Sequence, residues 1–164
     1  MNLLVIDVGT SSIRAAIVRP GAGVTVSRHH PLLPDSPAPG LVEFDARAMA
    51  EAVLDLGRAV LAEGGPVDAV GITNQRASAV VWDRATGEPV GPGIGWQDLR
   101  TVIDCLTLGA QGVRLAPNLT ATKAAHLLDL ADPDRTRDLC IGTVDSWLVW
   151  TLTAAPRGMS IDTA

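Results

Sequence analysis

A chain of 164 residues with a net charge of −5 and a pI near 5.0 has no electrostatic footprint for nucleic acid, and no Lys/Arg cluster offsets that balance. Hydrophobic residues make up 47% and the mean hydropathy is +0.25, which excludes a disordered chain. Aromatics are only 3%, so Val, Leu, Ile and Ala must fill the core, as in α/β proteins with buried sheets.

The first elements are strands. Residues 2 to 8 read as a strand, an apolar run that ends in a lone aspartate, Asp7; residues 12 to 19 form a second strand and 23 to 30 a third, with Pro20-Gly21-Ala22-Gly23 turning the chain between the last two. Four prolines between 31 and 40 predict an extended loop. Asp45 is placed as an N-cap, and Met49, Val53, Leu56 and Val60 follow at helical spacing until Gly64-Gly65-Pro66.

Val67 to Thr73 and Ala77 to Trp82 read as two more strands, the second running into the turn Asp83 to Gly87. Asp98 is expected to cap a short helix with Leu99, Val102, Ile103 and Leu106 on one face. A further helix starts at Thr120 or Thr122, runs through Leu127, Leu128 and Leu130, and closes before Pro133. A last one starts at Thr143 or Asp145 with Trp147, Leu148 and Leu152 as its apolar side; Trp147 and Trp150 are assigned to the core. The order is β-β-β-α-β-β-α-α-α, a mixed α/β chain opened by an antiparallel hairpin and read as one domain over 1–164.

Cys105 and Cys140 show neither metal-ligand spacing nor a CxxC, so buried free thiols are the expectation. His29, His30 and His126 are not spaced as ligands either. The N-terminus lacks the basic region of a signal peptide, and no apolar run approaches membrane-spanning length. A cytoplasmic protein with no nucleic-acid or membrane partner is expected.

Neither a GxxxxGK[ST] nor a GxGxxG stretch is present. A phosphate site must therefore be sought at the tip of the first hairpin, Asp7-Val8-Gly9-Thr10-Ser11-Ser12-Ile13-Arg14. Small residues and backbone N–H groups there suit an anion, and the carboxylate beside them suits a metal ion. On composition alone, a plain turn would use the same residue types.

The hairpin stretch resembles the first phosphate motif of the FGGY carbohydrate kinases. Four further segments resemble the same family in the same order: Pro39 to Asp45; Gly71-Ile72-Thr73-Asn74-Gln75-Arg76 with Trp82-Asp83 and Thr86-Gly87; Ile94 to Thr101; and Gly142 to Thr153. The resemblance implies an N-terminal lobe of the ribonuclease H-like, actin-like ATPase fold, with a mixed sheet opened by a β-hairpin and flanked by helices. It also implies ATP and Mg²⁺ as cofactors, and a sugar, polyol or sugar acid as substrate. Asp7 would hold Mg²⁺ through water near the transferring phosphoryl group. Gly9, Thr10, Ser11 and Ser12 would cradle the nucleotide phosphates, and Arg14 would balance their charge. On the substrate side, Gln75 and Arg76 would face the carbohydrate, Arg76 bonding its hydroxyls and Trp96 packing on its carbon skeleton. By themselves, Arg76 reads equally as a structural ion pair and Trp96 as core.

Leu41 stands where the family usually has Trp, and two substrate-side positions depart from its glycerol-kinase version. Ala77 stands where Glu is usual, and Asn118 where Tyr is usual. A site lacking those hydrogen-bonding groups should discriminate against glycerol. The family's catalytic base and adenine pocket fall in a C-terminal lobe beyond residue 164. Ser160 to Ala164 resemble a segment shortly before the N-terminal lobe is complete. The 164 residues alone are therefore expected to be inactive, with the C-terminal lobe as their partner; a homodimer stays open. The alternative is a truncated or degenerate non-catalytic module that binds sugar or a protein.

Overall fold

A computed structural model describes residues 1–153, so Ser160 to Ala164 lie outside the described residues. The chain divides into two compact units. The first comprises Met1–Leu33 and Ala48–Gln75, and the second Pro34–Arg47 together with the chain from Arg76 onward.

In the first unit, strands β1 (Leu3–Val8), β2 (Ser12–Arg19) and β3 (Gly23–Pro31) form an antiparallel meander. The helix α1 (Ala46–Gly64), whose first two residues count with the second unit, leads to β5 (Ala69–Asn74). That strand lies parallel to β1, giving the sheet order β3-β2-β1-β5. Alternation explains the core. Leu4, Ile6 and Val8 of β1 and Ile13 and Ile17 of β2 are buried on one face. The apolar stripe of α1 buries Met49, Val53 and Val60, and Gly57 of that helix comes close to Leu4. Arg19 donates to the carbonyl of Gly64, and Arg28 pairs with Glu63. The expected mixed sheet opened by a hairpin is present, with boundaries within two residues of those predicted.

The second unit holds an antiparallel sheet of which the sequence announces one strand, read there as Ala77 to Trp82. Its strands are β4 (Glu43–Phe44), β6 (Ala79–Asp83), β7 (Gly93–Ile94) and β8 (Leu139–Thr143), in the order β4-β7-β6-β8. Ala79, Val81, Ile94 and Leu127 form a core cluster, with Val90, Leu128 and Leu139 packed against it. Among the described residues the unit also holds three helices: α2 (Val102–Ala110), α3 (Thr120–Ala131) and α4 (Val144–Thr153). The indole N–H of Trp147 donates to the Ala46 carbonyl at 2.9 Å, and its ring lies 5.4 Å from that of Trp82.

Several expectations are corrected here. Asp98 does not cap α2, which begins at Val102; its carboxylate is buried upstream. The apolar face predicted for that helix is exposed at Leu99, Ile103 and Leu106, because α2 packs through Cys105, and Thr101 just before it, toward Thr122 of α3. Leu130 is likewise exposed, whereas Leu127 is buried. Trp150 is half-buried rather than core, its ring 5.9 Å from that of Trp82. Cys105 is buried, Cys140 half-buried, and both are free thiols. No helix among the described residues is long and apolar enough to cross a membrane.

Candidate functional site

The hairpin tip belongs to the first unit. Strand β1 delivers Asp7 directly opposite Arg14 of β2, and Arg14 Nη1 lies 3.3 Å from Asp7 Oδ2. Both side chains are largely exposed, so the pair adds little to stability. What it does is aim a carboxylate and a guanidinium at the same end of the sheet. The tip is tight: the Gly9 N–H donates to the Ser12 carbonyl at 2.9 Å, and the Leu32 N–H donates to the Ser11 carbonyl at 3.0 Å. Backbone hydrogen bonds thus order Gly9, Ser11 and Ser12, and Thr10 is half-buried between them.

Register extends the polar row across the sheet. Thr73 of β5 stands beside Asp7, and His29 of β3 beside Arg14. Sequence reading misses both, because cross-strand register is set by the hairpin geometry and by the return of β5, not by local spacing. Gln75 ends this unit, its N–H donating to the Val8 carbonyl at 2.7 Å.

Among the described residues, no three His, Cys, Asp or Glu side chains converge. A cation at the tip would rest on one carboxylate, Asp7, with water and phosphate oxygens completing its shell. That is the coordination Mg²⁺ favours, since it dehydrates reluctantly.

The second unit carries the other candidates. Arg76 is exposed, and Ala77 after it has φ +65°, a left-handed conformation that costs a residue with a Cβ. Ser78 is fully buried, and its hydroxyl accepts the Trp96 N–H at 3.1 Å. Trp96 itself is 40% exposed, which core packing does not explain. Asn118 is exposed in the turn that precedes α3.

A buried charge network underlies these segments. Asp98 is fully buried; its Oδ2 accepts the Val42 N–H at 2.6 Å, and its carboxylate receives Arg100 from both backbone and side chain. Arg100 also reaches Glu43 at 2.8 Å. Burial alone would raise the Asp98 pKa, but the Arg100 side chain and the Val42 and Arg100 amides together hold it below the usual carboxylate range. Lys123 of α3 is fully buried and donates to the Pro117 carbonyl at 3.0 Å. Thr101 and Thr122 share a buried hydrogen bond of 2.8 Å. So Ser78 ties the 76–78 segment to Trp96, Asp98 anchors the 96–100 segment, and Lys123 holds the turn carrying Asn118. Sequence reading misses Ser78, Arg100 and Lys123; none has a spacing that distinguishes it from an ordinary loop or helix residue.

Comparison with known proteins adds the context of the whole chain. The sequence profile described as "FGGY family of carbohydrate kinases, N-terminal domain" matches residues 2–158. Glycerol kinase from Rhodospirillum centenum is 40% identical over 169 residues, covering 92% of this chain and 34% of the relative. Glycerol kinase 2 from Streptomyces avermitilis is 38% identical, covering 93% of this chain and 34% of the relative. The chain therefore spans about a third of the length of the curated relatives it matches. Among solved structures, Plasmodium falciparum glycerol kinase with ADP superposes with a TM-score of 0.82 at 22% identity, over 93% of this chain and 34% of that one. A Brucella ovis xylulose kinase gives 0.79 at 22% identity, over 92% and 33%. At those identities the superpositions establish the fold, that of FGGY kinases.

Proposed function

The chain belongs to the FGGY family of carbohydrate kinases, whose N-terminal domain it carries, and from that premise we propose that it serves in the ATP- and Mg²⁺-dependent phosphorylation of a hydroxyl on a sugar, polyol or sugar acid. The observation that carries the reading is the hairpin tip. Asp7 and Arg14 are in register and in contact across a turn closed by the Gly9–Ser12 hydrogen bond.

Phosphoryl transfer asks little covalent chemistry of a protein; it asks for positioning and charge neutralisation. The substrate hydroxyl oxygen bonds to the γ-phosphorus, the bond to the β–γ bridging oxygen breaks, and ADP leaves with that electron pair. Mg²⁺, when bound, neutralises the phosphate oxygens. Asp7 would hold the cation through its water shell, Thr10, Ser11 and Ser12 present N–H and hydroxyl donors around the turn that Gly9 closes, and Arg14 balances the charge. Gln75, Arg76, Trp96 and Asn118 orient the carbohydrate. The base that takes the hydroxyl proton belongs to residues outside this chain, as does the adenine pocket.

Glycerol is not the preferred substrate on this reading, although the relatives named above are glycerol kinases. Ala77 and Asn118 support that: an alanine offers no side-chain hydrogen bond, and an amide replaces a phenol. The test is a coupled ADP-release assay of the full-length protein with glycerol, pentitols, ketoses and aldonates. We expect kcat/KM for one of the latter to exceed that for glycerol by about tenfold or more. The Asp7→Asn variant should keep its carbohydrate KM and lose kcat by about a hundredfold or more. Glycerol as the best substrate overturns the specificity; unchanged kcat in Asp7→Asn overturns the site.

A further inference from the structure

Twelve of the thirteen cationic side chains in this sequence are arginines, and Lys123 is the only lysine. Among the described residues it is also the largest side chain with no exposed surface. A buried ammonium is harder to desolvate than the hydrocarbon that could fill the same space, and an apolar replacement is often no less stable. Burial lowers its pKa, while the charge of Asp98 opposes that shift. Its ammonium donates to a backbone oxygen, that of Pro117.

That oxygen sits at an informative point. The Leu119 N–H donates to the Ala116 carbonyl at 2.9 Å, so residues 116–119 form a β-turn with Pro117 and Asn118 at its centre. Proline in the second position suits turn types I and II equally. The two types differ by a flip of the central peptide, which here is the Pro117–Asn118 peptide. Type II needs a positive φ at its third residue, and asparagine tolerates one. The sequence therefore permits both states. The structure has one of them: Ala77 and Arg135 are the non-glycine residues with positive φ among the described ones, and Asn118 is not. The carbonyl that would swing in the flip is the one Lys123 holds, from the first turns of α3.

We propose that Lys123 is a positioning residue that locks the Pro117–Asn118 peptide in one of its two orientations and so fixes how Asn118 is presented to the carbohydrate. The lock is a property of the turn; its effect on substrate rests on the functional reading above. The two can be tested apart.

The lock is read from the Asn118 backbone amide, which belongs to the flipping peptide, in ¹⁵N-labelled 1–164 chain. We expect one sharp cross-peak in the wild type, and a displaced, doubled or exchange-broadened one in Lys123→Met, with the sheet amides unmoved. An unmoved Asn118 peak overturns the lock. Should Lys123→Met not fold, Asn118→Gly, at an exposed position, favours the flip from the other side. The side-chain signal of the sole lysine should then shift, and its constancy overturns the lock. The effect on substrate is read in the full-length protein. Lys123→Met should raise the carbohydrate KM by about tenfold, the scale of one hydrogen bond from a charged donor, and leave the ATP KM unchanged. In an Asn118→Ala background the same change should add nothing. Equal rises in both KM values, or additive effects, overturn the role in presentation. If the wild type phosphorylates no carbohydrate, the functional reading falls, and the amide signal still decides the lock.

Discussion

Ala77 occupies a backbone conformation that glycine would adopt freely, and it does so between Arg76 and the buried Ser78. Strain of this kind persists only where the surroundings impose it; here the Ser78–Trp96 hydrogen bond fixes the residue that follows. Ala77→Gly should therefore stabilise the fold by about 1 kcal/mol, measurable by urea unfolding, as the left-handed penalty disappears. Asp98 is the opposite case, a buried charge whose partners are complete. Asp98→Asn leaves Arg100 to Glu43 alone and removes the anion that offsets Lys123, and should cost on the order of 3 kcal/mol. The folded carboxyl titrates below its unfolded value. Its contribution is complete above the unfolded pKa and is lost as pH falls through the folded one. The wild type should thus lose its advantage over Asp98→Asn only below the usual carboxylate range, in a series of unfolding curves at falling pH.

The strands of the first unit are readable because each is a run of six residues or more bounded by turn signals. In β1 the buried Leu4, Ile6 and Val8 belong to one apolar run, and the hairpin tip follows where that run gives way to Asp7 and Gly9. The second sheet is not readable for the same reason. Two residues, Glu43–Phe44 or Gly93–Ile94, carry no period, and Gly91-Pro92-Gly93 reads as a break although Gly93 pairs with Phe44. The glycine is there for space, since a Cβ at 93 would overlap the Phe44 ring. Gly93→Ala should destabilise the chain by about 1–3 kcal/mol with loss of the β4–β7 pairing, visible as faster amide exchange at Ile94. Asp98 misleads for a related reason. An aspartate ahead of an apolar run looks like a cap, and only tertiary contact with Val42 and Arg100 assigns it elsewhere. Ile103 and Leu106, exposed on α2, show the limit of periodicity: it finds an apolar stripe without saying whether the stripe is covered.

At the scale of the molecule, the candidate residues divide between the two units. Asp7 to Arg14 and Gln75 lie in the first, and Arg76 to Asn118 in the second. The phosphate-side tip is legible in the sequence, because it is one contiguous stretch. The carbohydrate side is legible only in part: its Arg76, Trp96 and Asn118 can be found by resemblance, but the Ser78, Asp98 and Lys123 tethers beneath them are distant in sequence and meet only in the folded unit. On the proposed reading the base and the adenine pocket are not among these residues, so the 164 residues alone should show no micromolar affinity for ATP, which calorimetry measures directly.

The solitary lysine also makes the chain its own stopwatch. An amine-reactive reagent finds no other ε-amino group here, and this one has no exposed surface. Apart from the terminal amine, acylation must wait until the second unit opens around α3. Under native conditions its rate therefore reports the opening of that one unit, in the manner of hydrogen exchange but at a single chemically addressed atom.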